Sequence, residues 1–129
     1  IVDPELALAG GLLHDVAKGK PDHALRGARL LCSLGYPDIA RIVRAHNAPP
    51  GDALEAIDER VLVFLADKLV IGTSVAGIDA RFQRAFDRFG SDAAVAKKIR
   101  ERKETTQGVA RRVAGILGKS DFSEVMRSL

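Results

Sequence analysis

The sequence has little of the chemistry that crosslinks a chain or anchors it in a membrane. Its 129 residues contain one cysteine, Cys32, and no tryptophan. A single cysteine excludes an internal disulfide and a cysteine-based zinc finger. Because Cys32 lies in an apolar helical pattern, we expect a buried, inert thiol. No apolar run reaches the roughly 18 residues of a membrane span, and no signal-peptide pattern is recognisable, so we expect a cytoplasmic protein.

Aromatic residues and strand patterns are also scarce. Aromatic residues make up 5% of the chain, whereas hydrophobic residues make up 47% and charged residues 29%. Leucine and alanine dominate, and alternating β-branched runs are missing, which favours an all-α protein. The net charge of +3 favours anionic ligands such as phosphates but is too small to indicate nucleic-acid binding. The length predicts a single domain over residues 1–129.

Helix-start and helix-stop signals divide the chain into about six helices and a short tail. Asp3 and Pro4 form an N-terminal cap, and the first helix is expected to end near Gly19. The other helices are predicted over about 22–34, 37–46, 54–71, 78–89 and 92–117, with a turn or two in 121–129. The chain opens at Ile1 without methionine, so we expect a fragment that an earlier helix precedes.

The long sixth helix carries a cluster of basic residues. The pattern is typical of a solvated helix face, and the alternative is a docking face for an acidic partner. The cluster consists of Lys97, Lys98, Arg100, Arg102 and Lys103.

The three histidines and one buried acid are the main candidates for chemistry. His14 and Asp15 close the first helix, His23 opens the second and His46 ends the third, while Asp67 lies in an apolar helix. Each histidine alone is typical of a cap or a core residue, and Asp67 alone is equally consistent with a buried salt bridge. Buried imidazole and carboxylate groups need compensation, which one shared metal site could supply. These ligand types suit iron, manganese, zinc, nickel or cobalt, as one or two ions.

Lys18 lies three residues after Asp15 and four after His14, so it projects from the same side of a helix. An ammonium beside a metal site can bind a phosphate or assist a leaving group. The simpler interpretation is a basic residue that pairs with the helix dipole.

The ordered set resembles the HD-domain superfamily of metal-dependent phosphohydrolases over residues 4–72. The segments that carry the resemblance are Leu12-Leu13-His14-Asp15-Val16-Ala17-Lys18, His23 with Gly27-Ala28, His46, and Leu65-Ala66-Asp67-Lys68-Leu69. The resemblance implies a helical HD-like bundle whose first family helix is absent, followed by basic helices over 78–129.

The resemblance also implies a ligand set. His14, Asp15 and Asp67 correspond to the first metal's ligands, and Asp15 would bridge to a second metal held by His23 and His46. The family's first histidine comes from a preceding helix, and no residue of this chain fills that position.

The implied function is hydrolysis of a phosphomonoester or phosphodiester, with a nucleotide as the expected substrate. Asp15 and Lys18 are the catalytic candidates, and Lys18, Lys68 and Arg81 are the substrate-binding candidates. Two alternatives stay open: a di-iron oxygenase of the HD type, and a non-catalytic module that senses a nucleotide or metal. Residues 18–23, 35–37 and 66–70 with Arg81-Phe82 resemble, more narrowly, HD domains fused behind a molybdenum-cofactor-type nucleotidyltransferase.

Overall fold

The computed structural model describes residues 2–128, which form seven helices and one short β-hairpin. The helices are α1 (Pro4–Leu13), α2 (His23–Ser33), α3 (Pro37–Arg44), α4 (Glu59–Leu69), α5 (Ile78–Phe89), α6 (Ala93–Ile116) and α7 (Phe122–Arg127). Strands β1 (Val70–Ile71) and β2 (Ser74–Val75) pair antiparallel. The predicted all-α class is confirmed. The hairpin was not predicted, because two-residue strands are too short to leave an alternating pattern.

Contacts divide the chain into two compact units, residues 1–67 and residues 68–129. The prediction of one domain over the whole chain stays a prediction. None of the helices within residues 2–128 combines the length and the apolar character that a membrane crossing requires.

In the first unit, α3 packs against both α1 and α2. The core between α2 and α3 consists of Ala28, Leu31, Ala40 and Val43, with Leu13 and Ile39 packed against it. Helix α1 approaches α3 closely at Gly10, where an added Cβ would lie 2.5 Å from Ile42 Cγ2. This close approach holds the C-terminal end of α1 against α3.

Helix α1 ends at Leu13, so the prediction that it continues to about Gly19 is wrong. Residues 14–20 instead form successive turns closed by the i→i+3 bonds Val16 N–Leu13 O, Lys18 N–Asp15 O and Lys20 N–Ala17 O. Gly19 (φ 91°) and Asp22 (φ 51°) have left-handed backbones, which reverse the chain before α2. Such turns share the residue spacing of a helix, and local periodicity does not distinguish the two.

Helix α4 is shorter than predicted at both ends. It begins at Glu59 rather than Leu54, because the Asp58 carboxylate accepts hydrogen bonds from the amides of Arg60 and Val61. Its buried face contains Val61, Val63, Phe64 and Leu65. It ends at Leu69 because the next two residues pair with β2.

The second unit is built on a helical hairpin of α5 and α6, which contact each other directly. The helices run antiparallel, since Lys103 Nζ lies 3.5 Å from Asp79 Oδ1 at one end and the short connection 90–92 joins the other. Asp92 caps α6 by accepting from the amides of Ala94 and Val95.

Cys32 is exposed near the end of α2, so the expectation of a buried thiol is wrong. The helix buries Ala24, Gly27, Ala28 and Leu31, and position 32 is turned away from that face.

Candidate metal centre

The five predicted ligands come from four separate elements of the first unit. His14 is the C-terminal cap of α1, and Asp15 follows it in the first turn. His23 is the first residue of α2, His46 lies two residues beyond α3, and Asp67 is inside α4. The structure therefore brings together chain segments that are distant in sequence.

The Asp15 carboxylate lies at the centre of this group and presents one oxygen to each side. Its Oδ2 is 3.3 Å from His14 Nε2. Its Oδ1 is 3.6 Å from His23 Nε2 and 3.5 Å from His46 Nε2. Asp67 Oδ1 lies 3.4 Å from His14 Nε2, on the Oδ2 side. The two carboxylate oxygens of Asp15 thus face two different sets of neighbours.

Backbone carbonyls orient two of the imidazoles. His14 Nδ1 donates to the Gly11 carbonyl at 2.6 Å, and His46 Nδ1 donates to the Val43 carbonyl at 2.6 Å. In the neutral ring, a proton on Nδ1 leaves a lone pair on Nε2. Both Nε2 atoms point at Asp15, which is the orientation that a metal-ligating histidine needs.

Burial favours the neutral form of His46, whose side chain is 1% exposed. Burial lowers the pKa of His46 more than the hydrogen bond to Val43 raises it, and nearby His14 lowers it further. His23 Nε2 lies 3.3 Å from His46 Nε2. Those two nitrogens can share a proton as donor and acceptor, or both can donate electron pairs to a cation.

The spacing of these donors fits a transition-metal ion. Ligand atoms bound at about 2.1 Å to one ion lie roughly 3.0–3.4 Å apart at octahedral or tetrahedral angles. The contacts that join Asp15 to the three histidines, at 3.3–3.6 Å, are close to this range. Ligand atoms of His14, Asp15 and His46 all lie within 4.8 Å of one another. Nitrogen and carboxylate donors suit iron, manganese, cobalt, nickel or zinc, so the residues fit the divalent ion that the sequence predicts.

Lys18 lies at the solvent side of the group. Its Nζ is 3.4 Å from Asp15 Oδ2, and its side chain is 78% exposed. The ammonium can therefore reach an anion that approaches this group from solvent.

The other two predicted substrate contacts lie in the second unit. Lys68 is buried, and both Lys68 and Arg81 line one pocket there. Their contact with a substrate stays a prediction.

Sequence reasoning missed the carbonyl groups of Gly11 and Val43. Each accepts from the histidine three residues later, so the spacing is visible in the sequence, but a carbonyl leaves no residue-type signal. It also did not foresee that Lys98 and Arg102, predicted on a solvated or docking face, are exposed and line a pocket. Their i, i+4 spacing beside Val95 and Ile99 is the signal that could have indicated a shared face.

Comparison with known proteins gives a family and one relative. The family model described as "HD domain" matches residues 1–71, more than half of the chain. An uncharacterized protein of Methanocaldococcus jannaschii is 31% identical over 115 residues, and the match covers 76% of this chain and 68% of the relative. No solved structure matches the chain significantly.

Proposed function

This chain belongs to the HD-domain family, and from that premise we propose that it is a metal-dependent hydrolase of phosphomonoesters or phosphodiesters. HD domains are generally metal-dependent hydrolases, and the His14–Asp15–His46 group could hold a metal ion. The substrate class and the role of each residue are the parts that we propose.

The observation that carries the proposal is the arrangement around Asp15. Three histidines reach its carboxylate through Nε2, and two of them have Nδ1 committed to backbone carbonyls. His14, Asp15 and Asp67 would hold one divalent ion, and His23 and His46 with the other Asp15 oxygen would hold a second. A bound ion would supply Lewis acidity and a lowered pKa for coordinated water.

The chain's own residues would orient the reacting groups. Asp15 would fix the positions of both ligand sets and accept a hydrogen bond from the attacking water. Lys18 would offset the negative charge of the phosphoryl group, because its exposed ammonium lies beside Asp15.

A nucleotide is the proposed substrate, since the net charge of +3 and Lys18 both favour a phosphorylated anion. Lys68 and Arg81 are proposed as further contacts to this substrate. An upstream nucleotidyltransferase domain in the parent protein stays a prediction.

The test combines metal analysis with a phosphoester panel. The protein is loaded with manganese or cobalt, desalted, analysed for bound metal, and assayed on nucleoside monophosphates, cyclic nucleotides and bis-p-nitrophenyl phosphate. We expect bound metal and phosphoester cleavage, both lost in Asp15→Asn. Asp38→Asn, an exposed position on α3, is the matched control and should retain both.

The other outcomes identify the alternatives. Metal binding without cleavage of any phosphoester would contradict the hydrolase and favour a sensing module. Oxygen consumption by the iron-loaded protein, with no phosphate release under manganese, would favour the oxygenase.

A further inference from the structure

The second unit contains a pocket that mixes positive charge with apolar walls. Its volume is about 330 Å³, at the small end of the roughly 300–1,000 Å³ typical of small-molecule sites. We call it the basic pocket, and its lining consists of Lys68, Arg81, Phe82, Ala85, Phe89, Val95, Lys98, Ile99 and Arg102. Four of these side chains are cationic, and none is acidic.

The pocket has a polar end and an apolar end. Because α5 and α6 are antiparallel and joined by a short connection, Phe89 and Val95 lie near that connection. Arg81 and Arg102 lie two to three turns away, near the Lys103–Asp79 ion pair. The two arginines therefore lie toward one end of the pocket and Phe89 and Val95 toward the other, with Lys98 and Ile99 between them on α6.

Arg81 indicates what the polar end can bind. Among residues 2–128, the Arg81 Nε is shielded from solvent and has no hydrogen-bond partner. A buried donor without an acceptor is costly, and a ligand oxygen at the pocket wall would satisfy it. Guanidinium groups bind phosphate through two parallel hydrogen bonds, so Arg81 and Arg102 suit a phosphate group.

The remaining basic residues of the cluster on α6 are engaged elsewhere. Lys97 lies 3.9 Å from Glu101, Lys103 lies 3.5 Å from Asp79, and Arg100 lies over the Phe86 ring. Lys98 and Arg102 are the members of this cluster that line the pocket, and its other two cations, Lys68 and Arg81, come from α4 and α5.

Each end of the pocket has an aromatic ring. Phe82, beside Arg81, is 5% exposed and forms part of the wall, whereas Phe89, at the apolar end, is 54% exposed and open to a flat ligand. Aromatic rings of this kind stack on nucleobases.

We propose that the basic pocket binds a small organic phosphate of the nucleoside monophosphate class. The phosphate lies between Arg81 and Arg102, with Lys68 and Lys98 adding positive charge, and the base lies toward Phe89. This binding needs no metal and does not depend on hydrolysis, although Lys68 and Arg81 are also proposed above as contacts to the hydrolase substrate.

The test measures binding of AMP to metal-free protein by isothermal titration calorimetry, with inorganic phosphate and adenosine as the two partial ligands. We expect AMP to bind more tightly than either part. Arg102→Gln should weaken AMP binding by about tenfold or more, as for loss of a charged hydrogen bond. Arg111→Gln, the same change at an exposed position of α6, should leave it unchanged.

Two further variants distinguish the contribution of the apolar end of the pocket from that of the phosphate end, and AMP binding in the pocket from binding at the metal centre. Phe89→Ala should weaken AMP binding by at least about fivefold while leaving phosphate binding unchanged. The component of AMP binding that Arg102→Gln removes should persist in Lys18→Gln, which separates this pocket from the metal centre. The proposal is overturned if AMP does not bind at millimolar concentration, or if Arg111→Gln or Lys18→Gln removes the component of binding that Arg102→Gln removes. Loss of phosphoester cleavage alone contradicts the hydrolase and leaves this proposal standing.

Discussion

Gly10 holds α1 close to α3, and replacing it with alanine should destabilise the protein. The added Cβ would lie 2.5 Å from Ile42 Cγ2 and 3.0 Å from two further Ile42 carbons. Ile42 is 1% exposed, so its side chain has no solvent space to move into. Overpacking of this kind costs about 1–3 kcal/mol of unfolding free energy.

Gly11 is the matched control. It lies in the same helix, and an alanine Cβ there would have no atom within 4 Å. Alanine is favoured over glycine inside a helix by about 0.5–1 kcal/mol, so Gly11→Ala should stabilise the protein by that amount. Both variants gain the same helix propensity. The difference between their free energies of unfolding therefore measures the overlap with Ile42, and we expect it to be about 1–3 kcal/mol.

The assay is denaturant unfolding followed by circular dichroism for both variants and the parent. His14 follows Gly10 by one helical turn, so metal binding should also weaken in Gly10→Ala and be unchanged in Gly11→Ala. If Gly10→Ala is as stable as Gly11→Ala, the two helices do not approach as closely as the structure indicates, and the reasoning fails.

Three further changes test the metal centre and the start of α4. Asp67→Ala should lower bound metal more than His23→Ala does, because Asp67, which contacts His14, is besides Asp15 the one negatively charged side chain in the proposed ligand sets; equal losses would contradict those sets. Lys18→Gln should lower kcat on a phosphoester with bound metal unchanged, since we propose that its ammonium contacts the phosphoryl group; a loss of metal would assign it a structural role instead. Burial raises the pKa of Asp58, but hydrogen bonds from Arg60 and the Val61 amide outweigh this and hold the pKa below its ordinary 3.8. The stability that Asp58 contributes is therefore present above pH 3.8 and lost as pH falls through the lowered pKa. Asp58→Ala should lower the free energy of unfolding by about 0.5–2 kcal/mol at pH 7. The variant should also lose less stability than the parent as the pH falls below 3.8; an equal loss in both would contradict the role given to the Asp58 carboxylate.

The helices that local signals define well were predicted closely. Helix α5 has the predicted bounds, Ile78–Phe89, and α6, Ala93–Ile116, lies within one residue of its predicted bounds at each end. Caps and helical periodicity depend on residues within one or two turns of each other, so a single sequence contains the whole signal. The order of histidines and aspartates in the first unit, with the residues around them, likewise carried the resemblance to the HD family.

The errors occur where local signals are ambiguous. Turns with i→i+3 bonds after Leu13 share the spacing of a helix, so the end of α1 was misplaced. The start of α4 was misplaced because residues 54–57 continue an apolar pattern that Asp58 interrupts by capping.

By itself, the sequence determined the helical class and the residue types that can hold a metal, because these depend on composition and short-range order, and its motifs carried the resemblance to the HD family. Only the tertiary structure decided that His14, His23 and His46 meet at the two oxygens of Asp15. It also decided that carbonyls fix two imidazole rings, and that Cys32 is exposed. Those features depend on contacts between segments far apart in the chain, and packing rather than local propensity sets their geometry.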